Sequence, residues 1–347
     1  MMNNHKTINP LTVGSLFAGI GGICTGFLKA GYEIKWANEY DQKACETYRY
    51  NYQHKLYEQD INKAENPQEW GYVDVITSGF PCQAFSVAGY RQGFNDNKGR
   101  GNLFFETARF IDTIQPRAYL LENVKNLVSH DQGRTFEVIK DILTKDLNYS
   151  FIPFVLNSKD YGNVPQTRER IYIVGFKNEG YIVASLNENV GSNLLYQFND
   201  NVSSKFQIPK PISLTKKVTD IIDKSVTDES YFYHESSRYY SELKKNMTRE
   251  DTIYQWRRVY VRENKSKLCP TLTANMGTGG HNVPLVKVNG KYRKLTPQEC
   301  LAFQGFDSSE FKFPENMAKS HCYKQIGNSV VVPVIQRIAN NIKYALL

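Results

Sequence analysis

The chain opens its first structural unit with Leu11-Thr12-Val13-Gly14-Ser15-Leu16, continues with Phe17-Ala18-Gly19-Ile20-Gly21-Gly22, and then runs from Ile23 to Gly31. This pattern predicts a β-strand, a glycine-rich turn and an α-helix that ends at Gly31. Glycines let a backbone approach a ligand closely, and the first turn of a helix offers free N–H groups. The stretch therefore predicts an α/β sheet with a ligand site where the strand meets the helix.

A second strand is predicted from Glu33 to Asn38, and it ends in Glu39. An acidic side chain there is placed to accept hydrogen bonds from ribose hydroxyls. NAD would explain the glycine cluster about as well as S-adenosylmethionine. However, the order Phe-x-Gly-x-Gly-Gly differs from the Gly-x-Gly-x-x-Gly spacing that binds a pyrophosphate, and no dehydrogenase-type site follows it. These two differences favour S-adenosylmethionine over the cofactor of an NAD-dependent oxidoreductase.

Composition places the chain among ordinary globular proteins. Its 347 residues suffice for one large or two modest domains, and 41% of them are hydrophobic and 22% charged. No run approaches the roughly 20 apolar residues of a membrane span. Residues 1–10 lack the apolar centre of a signal peptide. We therefore expect a cytoplasmic protein with no membrane partner.

The cysteines and the net charge limit the class of site further. Six cysteines lie at positions 24, 45, 82, 269, 300 and 322. No CxxC or Cys/His cluster with metal-ligand spacing occurs, so the sequence predicts neither a metal site nor a disulfide framework. The net charge of +8 favours a polyanionic partner, although many basic proteins bind no nucleic acid.

Cys82 is the candidate nucleophile. It lies in Gly79-Phe80-Pro81-Cys82-Gln83-Ala84-Phe85-Ser86, directly after a predicted buried strand over residues 73–77. Gly79 and Pro81 break that strand, so Cys82 would lie on a tight turn where α/β sheets bind ligands. A thiolate is strongly nucleophilic at neutral pH, although a lone cysteine is more often a small buried residue.

Three further charged residues adjoin predicted strands. Residues 118–121 run into Glu122, and an acid at the mouth of a buried strand is unusual unless it is paired or catalytic. Arg168 and Arg170 precede a strand over residues 171–176, and side chains at i and i+2 of a strand point the same way. A surface pair of cations is the common explanation of such spacing.

The chain resembles the cytosine-C5 methyltransferases along nearly its whole length. Three motifs carry the resemblance, in the family's order: Pro81-Cys82-Gln83-x-Phe85-Ser86, Glu122-Asn123-Val124 and Gln166-x-Arg168-x-Arg170. The resemblance implies that Cys82 attacks the cytosine ring and that Glu122 offsets the charge that builds at N3. It also implies that Arg168 and Arg170 contact the flipped nucleotide, with Arg170 favoured for the base.

The same resemblance implies S-adenosylmethionine as cofactor. Phe17 would pack on the adenine, the glycine turn would face the methionine portion, and Glu39 would bind the ribose. Asp60 and Ile61 would lie at the adenine, although Asp60 could equally be a solvated loop carboxylate. The implied cofactor residues are Phe17, Gly19, Ile20, Gly21, Gly22, Glu39, Asp60, Ile61, Pro81, Leu103, Asn328 and Ser329.

Two domains are expected. Residues 1–190 plus 321–347 would form a Rossmann-like methyltransferase domain, and residues 191–320 a smaller, mostly irregular or β domain that reads DNA. Cations alternate with aromatic residues over 254–264, as on a nucleic-acid surface or an exposed strand pair. The loop 88–101 would be a surface connection or a lid over DNA. The expected DNA contacts are Gln83, Ser86, Arg91, Arg100, Arg257, Arg258, Arg262, Thr273, Asn275, Gly279 and Gly280.

The last predicted helix carries one apolar stripe, formed by Val331, Val334, Ile335, Ile338 and Ile342. Such a stripe needs an apolar partner, and the sheet of the first domain is the expected one. The chain would then return to its first domain and bring Asn328 near the cofactor.

The implied function is methylation of cytosine C5 in duplex DNA within a restriction–modification system. The enzyme would act as a monomer beside a cognate endonuclease, on a palindrome of the CCGG or CCNGG kind. A transfer-RNA cytosine methyltransferase of the same fold is the first alternative, and the long basic second domain argues against it. A non-catalytic DNA-binding relative is the second, and the intact Cys82, Glu122 and arginine pair argue against that.

Overall fold

The computed structural model describes residues 9–81, 103–177, 205–257, 260–277 and 282–347. Cys82 and the loop 88–101 therefore lie outside the described residues. Within the described ranges, no helix combines the length and the apolar character that crossing a membrane requires.

A seven-stranded sheet forms the larger unit. Its strands are β1 (Thr12–Leu16), β2 (Glu33–Glu39), β3 (Lys55–Glu58), β4 (Val75–Ser78), β5 (Ala118–Val124), β6 (Ile152–Asn157) and β8 (Glu169–Phe176), with the short β7 (Gln166–Thr167) apart from it. The order is β3-β2-β1-β4-β5-β8-β6. The strands from β3 to β5 are parallel, whereas β8 is antiparallel to both neighbours. The carboxyl ends of the parallel strands thus meet at one edge, and the predicted α/β class is confirmed.

Nine α-helices occur in the described ranges. They are α1 (Gly22–Lys29), α2 (Gln42–Asn51), α3 (Leu103–Ile114), α4 (Arg134–Asp141), α5 (Ser158–Tyr161), α6 (Tyr240–Asn246), α7 (Pro297–Phe303), α8 (Lys319–Asn328) and α9 (Val332–Leu346). A π-helical turn over Ile142–Asp146 continues α4. Thr296 begins α7 with a capping box, because its side chain accepts from the N–H of Glu299 and Glu299 bonds back to the N–H of Thr296.

The C-terminal helix α9 packs on one face of the large sheet beside α1. All five residues of its predicted stripe are buried in the core cluster that also contains Val13, Phe27 and Leu120. The fit is close, because a Cβ atom at Gly26 of α1 would lie 2.5 Å from the Ile335 side chain. The C-terminal helix therefore lies against the first sheet of the chain.

The opposite face of the sheet is covered by α3 and α4. Phe104 and Ile111 of α3 and Ile139 of α4 share a core cluster with sheet residues such as Ile76 and Leu121. Because both faces are covered, the inner strands are almost wholly buried. Polar groups on this sheet can reach a ligand only at its edge.

A second, five-stranded sheet forms the smaller unit. Its strands are β9 (Phe232–Tyr233), β10 (Tyr254–Arg257), β11 (Tyr260–Glu263), β13 (Pro284–Val288) and β14 (Lys291–Lys294), in the order β11-β10-β13-β14-β9 and all antiparallel. Core residues of α6 pack with one set of its side chains, and core residues of α7 and α8 with another. The short β12 (Cys269–Pro270) pairs with β7 and so links the two units.

Candidate active site

A cavity of about 640 Å³ lies at the carboxyl edge of the large sheet. Most residues predicted from the sequence for cofactor or catalysis line it: Phe17, Gly19, Glu39, Asp60, Ile61, Pro81, Leu103, Glu122, Arg168, Arg170 and Asn328. They come from turns and strand ends far apart in the chain. The sheet brings them together because the ends of its strands meet at this edge, which is where α/β folds bind ligands.

The glycine turn after β1 forms one wall of the cavity. Phe17, Gly19 and Gly21 have φ angles of 53°, 55° and 82°, a backbone region that L side chains seldom adopt. A Cβ atom at Gly19 would meet no other atom within 4 Å. The turn therefore presents bare backbone to open space, and a ligand can approach it directly.

The other residues of this turn are packed against protein. A Cβ atom at Gly21 would lie 2.4 Å from the Tyr52 ring, and one at Gly22 would lie 2.5 Å from the Ser329 hydroxyl. Ile20 is buried in the core cluster that contains α7 and α8. Ile20, Gly21, Gly22 and Ser329 thus support the turn from behind, and a direct cofactor contact by any of them stays a prediction.

Glu39 ends β2 and ties the turn to that strand. One carboxylate oxygen accepts from the N–H of Gly19 at 2.8 Å, and the other accepts from the N–H groups of Tyr40 and Asp41, each at 2.8 Å. Three backbone donors therefore fix the carboxylate. Each carboxylate oxygen can accept more than one hydrogen bond, so Glu39 retains capacity for ligand hydroxyls.

Asp60 and Ile61 form another wall of the cavity. Asp60 begins a 3₁₀ turn over Ile61–Lys63 and accepts from the N–H of Asn62 at 3.0 Å. Upstream, the buried Asn38 donates to the carbonyls of Tyr57 and Gln59 at 2.9 and 2.8 Å. The wall is thus built on buried backbone contacts, although the Asp60 carboxylate itself remains accessible from the cavity.

Glu122 and Arg170 form an ion pair at the part of the cavity lined by Gly79, Phe80 and Pro81. Nε of Arg170 lies 3.1 Å from a carboxylate oxygen of Glu122, and their side chains are 15% and 11% exposed. A Cβ atom at Gly79 would lie 3.7 Å from the other carboxylate oxygen of Glu122. The adjoining Asn123 donates to the carbonyl of Phe80 at 2.9 Å. Both residues of the Glu122-Asn123 pair therefore adjoin the segment that leads to Cys82.

Arg168 has a different environment from Arg170. It lies between β7 and β8 and is 3% exposed. Its two terminal nitrogens donate to the carbonyls of Leu272 at 2.9 Å, Gly327 at 3.2 Å and Ser329 at 2.5 Å. Burial, followed by repulsion from Arg170, lowers the pKa of Arg168 below its ordinary value. The terminal nitrogens thus bind backbone carbonyls of the protein, and Nε is buried without a partner in the described part of the chain. A nucleotide contact by Arg168 stays a prediction.

Residues 11–344 match the family described as C-5 cytosine-specific DNA methylase. The chain belongs to this family. It is 52% identical over 341 residues to the Type II methyltransferase M.Bsp6I of Bacillus sp. (strain RFL6), a match that covers 97% of this chain and 100% of that protein. It is 36% identical over 354 residues to M.HhaI of Haemophilus parahaemolyticus, covering 98% and 97%. This DNA cytosine-5-methyltransferase is thus of the restriction–modification type.

Solved structures show the fold of this cytosine-5-methyltransferase independently. A DNMT2 structure from Spodoptera frugiperda superposes with a TM-score of 0.68 at 22% identity, covering 97% of this chain and 100% of the other. A Dnmt2 methyltransferase from S. pombe gives 0.67 at 17% identity, covering 97% and 99%. The family and this fold imply methylation that depends on S-adenosylmethionine.

The residues that line the cavity of the methyltransferase have the chemistry that binding of S-adenosylmethionine requires. Gly19 leaves open space in front of its backbone, Glu39 offers a fixed carboxylate to ribose hydroxyls, and Phe17 offers an aromatic surface. The volume of about 640 Å³ is in the range of small-molecule sites. These residues could therefore hold the cofactor.

Sequence reasoning missed several residues at the cavity. Tyr40, Asp41 and Lys324 line it, and Lys324 Nζ lies 2.7 Å from a carboxylate oxygen of Asp41 across the rim. Burial alone would raise the pKa of Asp41, but hydrogen bonds from Lys324 and two backbone N–H groups outweigh it and lower that pKa. Asp41 could have been found as the N-cap of α2. Lys324 has no local signal, because its partner is 283 residues away.

Several predicted residues of this methyltransferase lie outside the described residues. They are the nucleophile Cys82 and the expected DNA contacts Gln83, Ser86, Arg91, Arg100, Arg258, Gly279 and Gly280. Pro81, the residue before Cys82, borders the cavity. The five cysteines in the described ranges are all buried. Burial raises the pKa of each of these five thiols, so none of them has the low pKa of a reactive cysteine.

The remaining expected DNA contacts lie on the smaller unit. β10 and β11 pair Arg257 with Tyr260 and Gln255 with Arg262, so these four side chains share one face of the strand pair. Arg257 also bonds Asn282 at 2.5 Å. Thr273 bonds Asn275 at 2.7 Å, one residue beyond the carbonyl that Arg168 holds. The alternation of cations and aromatics therefore belongs to a strand pair, and its contact with DNA stays a prediction.

Proposed function

We propose that this DNA cytosine-5-methyltransferase acts through a covalent bond between Cys82 and C6 of a cytosine that is flipped out of duplex DNA. The observation that carries the proposal is the Glu122–Arg170 pair beside Gly79–Pro81, in the same cavity as Gly19 and Glu39. A cytosine in a duplex cannot reach such a cavity while stacked, so the nucleotide must leave the helix.

Cys82 and Glu122 have complementary tasks in this proposal. The thiolate adds to C6, a C–S bond forms, and the ring π electrons shift towards C5 and N3. Glu122 supplies or shares a proton at N3, and Arg170 holds the Glu122 carboxylate in place from 3.1 Å. Addition at C6 makes C5 nucleophilic, which splits one difficult step into easier ones.

Bound S-adenosylmethionine supplies an electrophilic methyl group for C5. Gly19, Glu39, Asp60 and Ile61 are the residues that would hold it. Once C5 carries the methyl group, the proton at N3 returns to Glu122. A base then takes the proton from C5, the 5,6 double bond re-forms, and the electrons of the C–S bond leave with the Cys82 thiolate. No described residue is assigned as this base, and water suffices for the role.

The smaller sheet is the proposed DNA reader. The face with Gln255, Arg257, Tyr260 and Arg262 combines cations with hydrogen-bonding groups, the residue types that contact phosphates and base edges. A palindrome of the CCGG or CCNGG kind is the proposed target, and protection of host DNA from a cognate endonuclease the proposed role. The enzyme is expected to act as a monomer.

Incubation with tritiated S-adenosylmethionine and either duplex DNA or transfer RNA tests the substrate. Label in DNA alone supports the proposal, whereas label in transfer RNA alone would point to the other substrate class of this fold. Absence of label in either would favour a DNA-binding protein that has lost the chemistry. Bisulfite sequencing of DNA from cells that express the protein then reads the target, and conversion protected at one repeated palindrome is the expected result.

A further inference from the structure

Arg109 on α3 contacts the cavity wall without lining the cavity. Its Nη2 atom donates to the carbonyl of Ala64 at 2.9 Å and lies 3.5 Å from that of Ile61. Ile61 begins the 3₁₀ turn that follows Asp60, and Ala64 is the C-cap of that turn. The guanidinium therefore joins the helix behind the wall to the backbone that carries Asp60 and Ile61.

Glu106 fixes the orientation of this arginine. One carboxylate oxygen of Glu106 accepts from both Nε and Nη2 of Arg109, at 2.9 and 2.5 Å. The Glu106 side chain is 9% exposed and that of Arg109 is 31% exposed. A buried carboxylate needs a cationic partner, so the two side chains hold each other in one arrangement on successive turns of α3.

The wall is also held at its upstream end. Asn38 binds the carbonyls of Tyr57 and Gln59, before Asp60, and Arg109 binds the carbonyls after it. Asp60 and Ile61 thus lie between two anchors, one from β2 and one from α3. The same helix begins with Leu103 at the cavity, and its Thr107 bonds Ser78 at the end of β4 at 2.9 Å. α3 is therefore a common support for the wall and for the strand that leads to Cys82.

We propose that Arg109, oriented by Glu106, is a positioning residue that sets the wall carrying Asp60 and Ile61 and thereby controls affinity for the adenosine end of the cofactor. The inference rests on the proposed function, in which this wall receives the adenine. Neither Arg109 nor Glu106 touches the reacting atoms. Loss of the Arg109 contacts should therefore weaken cofactor binding alone.

The test is Arg109→Met, which keeps length and removes every donor. Calorimetric Kd values are measured for S-adenosylhomocysteine, for adenosine and for duplex DNA. The variant should bind S-adenosylhomocysteine and adenosine more weakly by the same factor, roughly tenfold, the size of one charge-assisted hydrogen bond. Duplex affinity should stay within about twofold, and KM for S-adenosylmethionine should rise far more than kcat falls. Arg109→Lys should recover part of the loss, because an ammonium can still reach one acceptor.

Arg117→Met is the matched control. Arg117 also donates to a carbonyl, that of Leu346, and approaches a carboxylate, that of Asp74 at 3.8 Å, but it precedes β5 at the opposite edge of the sheet. Arg117→Met should leave the affinities for S-adenosylhomocysteine and adenosine unchanged. Equal losses for duplex and S-adenosylhomocysteine in Arg109→Met, or unchanged adenosine affinity, would overturn the inference. Failure of the wild-type protein to bind S-adenosylhomocysteine would instead refute the proposed cofactor site itself.

Discussion

Nε of Arg170 lies 3.1 Å from a carboxylate oxygen of Glu122, and the pair is nearly buried at the cavity edge. The two residues face each other across β5 and β8, where Val124 pairs with Arg170 and Glu122 with Tyr172. The sheet register therefore fixes the distance between the groups. A cytosine held here would meet an acid and a cation whose positions are already set, as electrostatic stabilisation of developing charge requires.

Glu122→Gln tests whether this acid transfers a proton. The amide keeps the size of the side chain and can still hydrogen-bond the ring, but it cannot protonate N3. We expect near-normal binding of DNA and cofactor, with methylation slowed by roughly 10²–10⁴-fold, the usual contribution of general acid catalysis. Single-turnover rates with tritiated cofactor measure the effect.

Glu169→Gln is the matched control for this substitution. Glu169 precedes Arg170 in the same strand, but its side chain is 45% exposed and pairs with Lys125 at 3.3 Å. The control should methylate at the normal rate. If Glu122→Gln does so too, Glu122 merely hydrogen-bonds the cytosine edge, and ring activation falls to the arginines.

Cys82→Ser should abolish methyl transfer while duplex binding survives, because a hydroxyl is far less acidic than a thiol and does not add to C6. Cys45→Ser is the control, since Cys45 is buried on α2 near the cavity and its thiol bonds the carbonyl of Glu39. Equal loss of binding and turnover in Cys82→Ser would mean that Cys82 is structural.

A duplex with 5-fluorocytosine at the target should trap the wild-type enzyme covalently, because fluorine cannot leave C5 as a proton does. A denaturing gel detects the adduct.

Exchange of residues 255–282 for the matching segment of a relative with another target should change which sequence is methylated. The segment contains the Arg257–Tyr260 and Gln255–Arg262 pairs and the Thr273–Asn275 turn. No described residue of the segment lines the cavity, so kcat on the new target should remain within about tenfold of the parent's. Methylation that stays at the original site would place base reading elsewhere.

The elements that could be predicted from the sequence are those encoded locally. The strand, glycine turn and helix of residues 11–31 and the acid that ends β2 lie within about 30 residues of one another, and each has its own composition signal. The apolar stripe of the last helix likewise predicts a buried face, and it packs on the first sheet as expected. The order β3-β2-β1-β4-β5-β8-β6 was not predicted, since no local pattern fixes which strands pair.

Arg168 shows why the rest was not predictable. Its spacing from Arg170 suggested two side chains with one role on one strand, yet Arg168 lies at the break between β7 and β8. Its acceptors are the carbonyls of residues 272, 327 and 329, which lie 104 to 161 residues further along the chain. Backbone carbonyls carry no sequence signal, so only the folded chain separates the two arginines.

We therefore expect Arg168→Met to lower the free energy of unfolding, in addition to any effect on activity. Three buried carbonyls lose charge-assisted donors, so we expect a loss of about 2–4 kcal/mol in the free energy of unfolding. Arg337→Met is the control, because Arg337 also donates to two carbonyls, those of Tyr161 and Lys210, away from the cavity and with less burial. Urea unfolding compares the two variants, and an equal or smaller loss for Arg168→Met would contradict the assigned role.

His54 gives the protein a predictable response to acid. Its Nε2 lies 2.5 Å from the Tyr48 hydroxyl, which is 3.1 Å from the Cys24 thiol, behind the glycine turn. Burial lowers the pKa of His54 from 6.5 to about 4. The unfolded chain therefore binds a proton at higher pH than the folded chain does. Above pH 6.5 this group leaves the free energy of unfolding unchanged. The free energy of unfolding falls as the pH drops from 6.5 towards 4, and His54 causes no further loss below pH 4.

The measurement is the urea midpoint of the wild-type protein and of His54→Gln from pH 8 to pH 4. Carboxylates titrate in both proteins, so the difference between the two curves isolates the histidine. The wild-type midpoint should fall more steeply than that of the variant between pH 6.5 and 4, and the two curves should run parallel above pH 7. Parallel curves over the whole range would show that His54 has the same pKa in the folded and unfolded chains. The site beside Tyr48 would then accept the charged imidazole as readily as the neutral one.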